Sequence, residues 1–236
     1  MAIEVFSRVE MKYMISDSDF QSLKPLLEQN MDSDIYNQGG KTYPIYNIYF
    51  DTSSNELIRK SLEKPVYKEK LRLRSYGKAG EGDTVYFEIK KKFDGIVYKR
   101  RTGLTLKEAE DFIKQGKKPL NPELNEQVFK EIQDLMQRYS LEPKVVISYD
   151  RLAYFGKNDS DFRITLDKNI LTRRDELTLS KDPYGKDLLK ENQWLMEAKG
   201  TNSFPLWFAR FLSQRKINQN SFSKYGNEFV RYMSNS

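Results

Sequence analysis

Two arginines spaced two residues apart, Arg72 and Arg74 in YKEKLRLRSY, project paired guanidinium groups from one side of an extended chain. Planar, permanently charged forks of this kind suit bidentate contact with phosphate oxygens. Lys90 and Lys92 in VYFEIKKK repeat the spacing, and Lys12, Arg151, Arg163 and Lys199 add further cations on other alternating segments. Acids stand among them at a fixed offset: Glu10 precedes Lys12 by two residues, Glu88 precedes Lys90, and Glu197 precedes Lys199. A single such pair reads as an ordinary surface ion pair of small energetic value, and a lone basic strand as a charge-protected edge. The repeated set suggests another arrangement, in which carboxylates hold a divalent metal while lysines and arginines bind the phosphates that bridge to it.

Two absences narrow the chemistry. The 236 residues contain no cysteine and no histidine, which excludes disulfides, thiolate nucleophiles, the usual general base and the usual zinc ligands. Any metal site must use carboxylates and other oxygens, which suits Mg²⁺, Mn²⁺ or Ca²⁺. Catalysis would then rest on positioning and charge neutralisation, and phosphoryl transfer demands little else from a protein. The net charge of +6 favours anionic partners, although 34 acidic residues accompany the 40 basic ones.

The elements that must carry these side chains are strands. Period-two alternation predicts eight of them, near 4–15, 45–51, 67–76, 84–93, 96–102, 144–154, 161–167 and 193–199, and the first, third, fourth, seventh and eighth each have a charged and an apolar face. Asp94-Gly95 is a hairpin turn signal. The loop GKAGEGD at 77–83 lacks a following Lys-Ser/Thr and a helix, so it reads as a turn and not as a phosphate-binding loop. Helices are predicted after Ser16 or Ser18, with Pro25 tolerable only in the first turn. Others are predicted from Thr105 with Glu108 to Gly116, from Asn121-Pro122, from Pro205 and after Ser223. With 38% apolar residues a real core is available. No linker or repeat divides the chain, and one α+β domain over 1–236 is expected. No stretch has the length and apolarity of a membrane span or a signal peptide, so a cytoplasmic protein is expected.

In order along the chain, RVEMKY at 8–13, YFDT at 49–52, KLRLRSYG at 70–77, FEIKKK at 87–92, YDRLAY at 149–154, RITLD at 163–167, MEAKG at 196–200 and SKYG at 223–226 resemble the VTC domain. That domain is the polyphosphate polymerase module of the triphosphate tunnel metalloenzyme (CYTH-like) superfamily. The resemblance spans essentially the whole chain. It implies an eight-stranded antiparallel β-barrel, the triphosphate tunnel, with helices packed outside. It also implies transfer of the ATP γ-phosphate to a growing polyphosphate chain with Mn²⁺ or Mg²⁺ bound. Carried over by motif, Lys12, Arg72, Arg74, Lys90, Arg151, Lys199 and Lys224 would contact phosphates, with Arg72, Arg74, Lys90 and Arg151 at the reacting centre. Glu197 would be the main metal ligand and Glu10 its helper. One of Lys99, Arg100 and Arg101 would also line the tunnel; three consecutive cations leave the strand phase open, and Arg100 is taken as the contact. Arg59 or Lys60 would contribute from the segment after YFDT.

The resemblance has two departures. Where the family polymerases often carry a further lysine before the last motif, this chain has Ser221, and no regulatory phosphate-sensing domain or membrane segment is seen. A membrane-protein partner is left open, and DNA is not expected. Two other activities fit the same residues: a triphosphatase or tripolyphosphatase with water as acceptor, and a non-catalytic module binding polyphosphate or RNA through its cations. Glu10, Glu88 and Glu197 argue against the last, because carboxylates facing a polyanion are costly unless a metal bridges them.

Overall fold

The alternating segments become strands of one large antiparallel sheet in a computed structural model that describes residues 8–121, 124–159, 161–201 and 203–234. The strands are β1 (Arg8–Ser16), β2 (Met31–Ser33), β3 (Tyr43–Asp51), β4 (Tyr67–Ser75), β5 (Thr84–Phe93), β6 (Ile96–Thr105), β7 (Glu142–Gly156), β8 (Arg163–Arg173), β9 (Lys186–Asp187) and β10 (Gln193–Thr201). The helices are α1 (Asp17–Asn30), α2 (Glu56–Leu62), α3 (Leu106–Gln115), α4 (Glu126–Tyr139), α5 (Leu206–Gln214) and α6 (Lys224–Ser234). All eight expected strands are present, although residues 4–7 of the first lie outside the described residues. β2 and β9 are too short to show a period. The strand order is β1-β10-β8-β7-β3-β4-β5-β6, with β2 on β7 and β9 on β8. Among the described residues this path is open between β1 and β6, where the barrel expectation had it closed.

The chain forms two compact units, each drawn from three segments. The first comprises Met1–Tyr43, Tyr149–Ile170 and Leu189–Phe222. Here β1 and β10 pair from Arg8↔Thr201 to Ser16↔Gln193, and β10 continues onto β8. Opposite residues share a face, so Tyr13, Ile15, Ile164, Leu166, Trp194, Met196 and Ala198 make one apolar surface. It buries Phe20, Leu23 and Leu27 of α1 and Phe208 and Phe211 of α5. Ser16 caps α1 in a reciprocal box with Asp19. Pro25 lies inside α1, not in its first turn as expected. The lost N–H is tolerated because Leu23 and Leu27, on either side of it, are fully buried.

The second unit comprises Pro44–Ser148, Leu171–Leu188 and Ser223–Ser236. Ile48 and Phe50, Leu71 and Leu73, Val85, Phe87 and Ile89, and Leu104 pack their apolar face on α3 and α4. Thr105 and Glu108 cap α3, which ends at Gly116 in the left-handed region (φ 68°). α4 starts at Glu126, with Asn125 accepting from the Val128 N–H at 3.1 Å, later than the expected Asn121-Pro122 start. Pro122 lies outside the described residues. Asp94 and Gly95 both have positive φ and turn β5 into β6. The 77–83 loop is closed locally by Asp83, whose carboxylate accepts from the Gly80 N–H at 2.7 Å, as expected of a turn.

Candidate functional site

In the second unit the strand register brings the predicted cations together. Asn47, Arg74 and Tyr86 are opposite one another across β3, β4 and β5; Tyr49, Arg72, Glu88 and Arg101 form the next row; Lys70, Lys90 and Lys99 form a third. All stand on the face turned away from α3 and α4, because their neighbours in sequence fill the core. Glu88 organises the rows. It accepts from Arg72 Nε at 2.8 Å and Nη2 at 2.5 Å, and Arg74 Nη1 lies 3.7 Å from its other oxygen. Arg72 Nη1 also donates to the Tyr49 hydroxyl at 3.2 Å, and Arg74 Nε to Asn47 Oδ1 at 2.9 Å. Arg101 lies over the Tyr86 ring, 4.8 Å from its centroid.

Burial opposes the ionisation of Glu88, but the charges of Arg72 and Arg74 outweigh it and hold the carboxyl below the usual range. A depressed folded-state pKa adds stability that is complete above the unfolded value of about 4.3 and is lost as pH falls through the folded one. Glu88→Gln should therefore flatten the acid limb of a Tm-against-pH curve below about pH 4. An unchanged limb would show that Glu88 is not held by these charges.

Asp51 of YFDT has another task. Fully buried, it accepts from the N–H groups of Leu57 at 2.8 Å and Ile58 at 2.9 Å at the start of α2, and from the Tyr225 hydroxyl at 2.9 Å. Burial, and then the Asp51 charge, push the Tyr225 phenol well above its usual range. Tyr225 also stacks on Tyr49 at 5.1 Å. The first turn of α6, which carries Lys224, is fixed this way, and Lys70 Nζ reaches Ser223 Oγ at 3.3 Å. Arg174 holds Glu228 of α6 through two bonds of 2.8 and 2.9 Å.

In the first unit the Glu-x-Lys motifs interlock across strands. Glu10 faces Lys199, and Lys12 faces Glu197. Glu197 takes Lys12 Nζ at 3.4 Å on one oxygen and Lys199 Nζ at 3.2 Å on the other, while Glu10 lies 3.9 Å from Lys199. Lys12 also donates to the Phe222 carbonyl at 2.9 Å. Arg151 grips the fully buried Asp167 through two bonds of 2.6 and 2.8 Å and lies over the Tyr149 ring. Burial works against its charge, but Asp167 more than restores it and raises the guanidinium well above its usual pKa. Arg163 lies over Phe155, and its buried Nε has no hydrogen-bond partner.

Several expectations need correction. Arg100 faces Ile89, on the opposite side from Arg72, and pairs with Glu131 of α4 at 3.3 Å. Lys99 and Arg101 take the charged face, because alternation allows only one phase. Lys60 is tied to Glu56 at 2.5 Å on the exposed face of α2. Glu88 serves Arg72 and Arg74 of the neighbouring strand. The roles of Asp167, Asp51, Asn47 and Tyr225 are not among the expectations, because each depends on a partner on another element.

No group of three or more acidic side chains that could hold a metal gathers among the described residues. The donors nonetheless suit a hard cation. Glu197 and Glu10 offer carboxylates, and Thr165, directly opposite Glu197, keeps a buried hydroxyl with no hydrogen-bond partner. Mg²⁺-type ions bind through one or two carboxylates plus substrate phosphates and water, so this set fits.

Each unit thus presents a cationic face of its sheet. A proposed adenylate cyclase from Bacillus halodurans superposes with a TM-score of 0.55 at 17% identity, over 92% of this chain and 93% of that one. Another from Vibrio parahaemolyticus matches at 0.47 and 14%, over 94% and 97%. The sequence itself matches the VTC domain over residues 7–231, and the chain belongs to that family. No helix among the described residues is long and apolar enough to cross a membrane.

Proposed function

We propose that this protein is a polyphosphate polymerase that uses ATP and a divalent metal in the cytoplasm. The terminal oxygen of the chain attacks the γ-phosphorus, the bond to the β–γ bridging oxygen breaks, ADP leaves, and the polymer grows by one phosphate. Arg72 and Arg74 would orient the phosphates with Lys90 and Arg151, and Lys12, Lys199 and Lys224 would neutralise flanking charge. Arg101 and Lys99 take the role first given to Arg100. Glu197, helped by Glu10, would hold Mn²⁺ or Mg²⁺, which when bound neutralises phosphate charge.

One observation favours a phosphate acceptor over water. Glu10, Glu88, Asp167 and Glu197 are each engaged by lysine or arginine, so none is held ready as a base. Water needs a base, whereas a polyphosphate end is already ionised. Purified protein with ATP and Mn²⁺ should yield ADP and a polymer ladder on a polyphosphate-stained gel. Free phosphate without polymer would instead establish the triphosphatase, and no turnover with any nucleoside triphosphate or tripolyphosphate would leave a binding module.

A further inference from the structure

We infer that the free end of the β4–β5–β6 ribbon docks onto an anionic lipid surface. Val66, Tyr67, Phe93, Ile96, Val97 and Tyr98 are between 41% and 65% exposed and are gathered at this one end of the second unit. The register sets Tyr67, Phe93 and Ile96 in one row, with the Tyr67 and Phe93 rings 6.5 Å apart. Lys68, Lys92 and Val97 form the next row, facing the other way. Ile89 is the last buried residue of β5, and Phe93 to Arg101 are all exposed. The projecting end therefore carries Tyr67, Phe93 and Ile96 on one face and Val97 beside two lysines on the other, and is about 10 Å long, which matches the depth of about 5–10 Å reached by interfacial segments.

Cations stand behind it. Lys64 is exposed beside Lys68 and Lys92. Partial burial and the like charges of Lys92 and Lys64 hold Lys68 below the usual lysine range, so this corner favours an incoming anion. The nearby acids are Glu63, the turn residue Asp94, and Glu69, which is buried and turned to Tyr67 and Lys91. A polyanion alone would leave Phe93, Ile96 and Val97 without use. An apolar tip backed by lysines and flanked by tyrosine rings is the pattern that enters a headgroup layer.

The test is co-sedimentation of the full chain with phosphatidylcholine vesicles, with and without about 30% phosphatidylserine. The protein should bind the anionic vesicles at least about tenfold more tightly, with the difference shrinking in high salt. Phe93→Ser/Ile96→Ser should lose at least about tenfold of that binding while keeping its melting temperature and its ATP turnover. Lys64→Gln/Lys68→Gln should reduce binding to anionic vesicles alone. Equal pelleting of the tip variant and parent, or no pelleting of the parent, overturns the inference. So does concentration-dependent self-association without lipid that the tip substitutions abolish, since the tip would then meet a second copy. None of these outcomes depends on whether the protein makes polymer.

Discussion

Arg72→Ala should reduce polymer synthesis by at least about 10²–10³-fold, the loss typical when one pre-oriented donor to a transition-state oxygen is removed. The side chain is held on three sides, by two bonds to Glu88 and one to Tyr49, so its fork is fixed before substrate arrives. Lysine at this position keeps the charge but loses the planar fork, and Arg72→Lys should recover only part of the rate. Stability has to be separated from catalysis. Without Arg72, Glu88 loses its two short bonds and keeps Arg74 at 3.7 Å, and an underpaired, largely buried carboxylate costs about 1–3 kcal/mol. The double variant Arg72→Ala/Glu88→Gln removes that orphan charge and should regain melting temperature without regaining activity. Polymerisation by Arg72→Ala within about tenfold of the parent would remove this arginine from the reacting centre.

Glu197→Gln should lose polymerisation by at least about 10²-fold and weaken Mn²⁺ binding by about 10–100-fold. The substitution keeps the shape but withdraws the negative charge shared by Lys12 and Lys199. Titrating Mn²⁺ calorimetrically with a non-hydrolysable ATP analogue reads metal affinity apart from turnover. Glu10, whose carboxylate lies 3.9 Å from Lys199, should show the same effects at smaller size when changed to Gln. Unchanged Mn²⁺ affinity in Glu197→Gln would make Glu197 a counter-ion for the two lysines and not a ligand.

Local chemistry explains which features were legible in the sequence. Period-two alternation is a property of neighbouring residues, so β4 and β5 and the shared face of Arg72 and Arg74 could be read directly. Capping is equally local, and the Thr105–Glu108 box stands as expected. Pairing is not local. Glu88 pairs with Arg72 on the neighbouring strand, and Lys12 with Glu197 on a strand distant in sequence. Arg100 failed for a related reason, since a run of three cations conceals the strand phase until Glu88 opposite Arg101 defines it. Pro25 shows tertiary packing overriding local preference, because the flanking leucines hold the helix through it. The role of Asp51 depends on Tyr225, which no spacing rule connects to it.

The pairing of β1 with β10 also sets a timetable for synthesis. Val9 cannot find Gly200 until nearly the whole chain has been made, which at about 5–20 residues per second leaves β1 waiting for roughly 10–40 s. Throughout that interval the backbone edge and apolar face of β1 are open to other chains. The first unit therefore cannot close until β10 has emerged, and its non-local pairing makes refolding slow compared with a helical protein of the same size. Chains interrupted before residue 193 lack β10 altogether and leave β1 unpaired, so such fragments should reach proteases or chaperones in place of a native state.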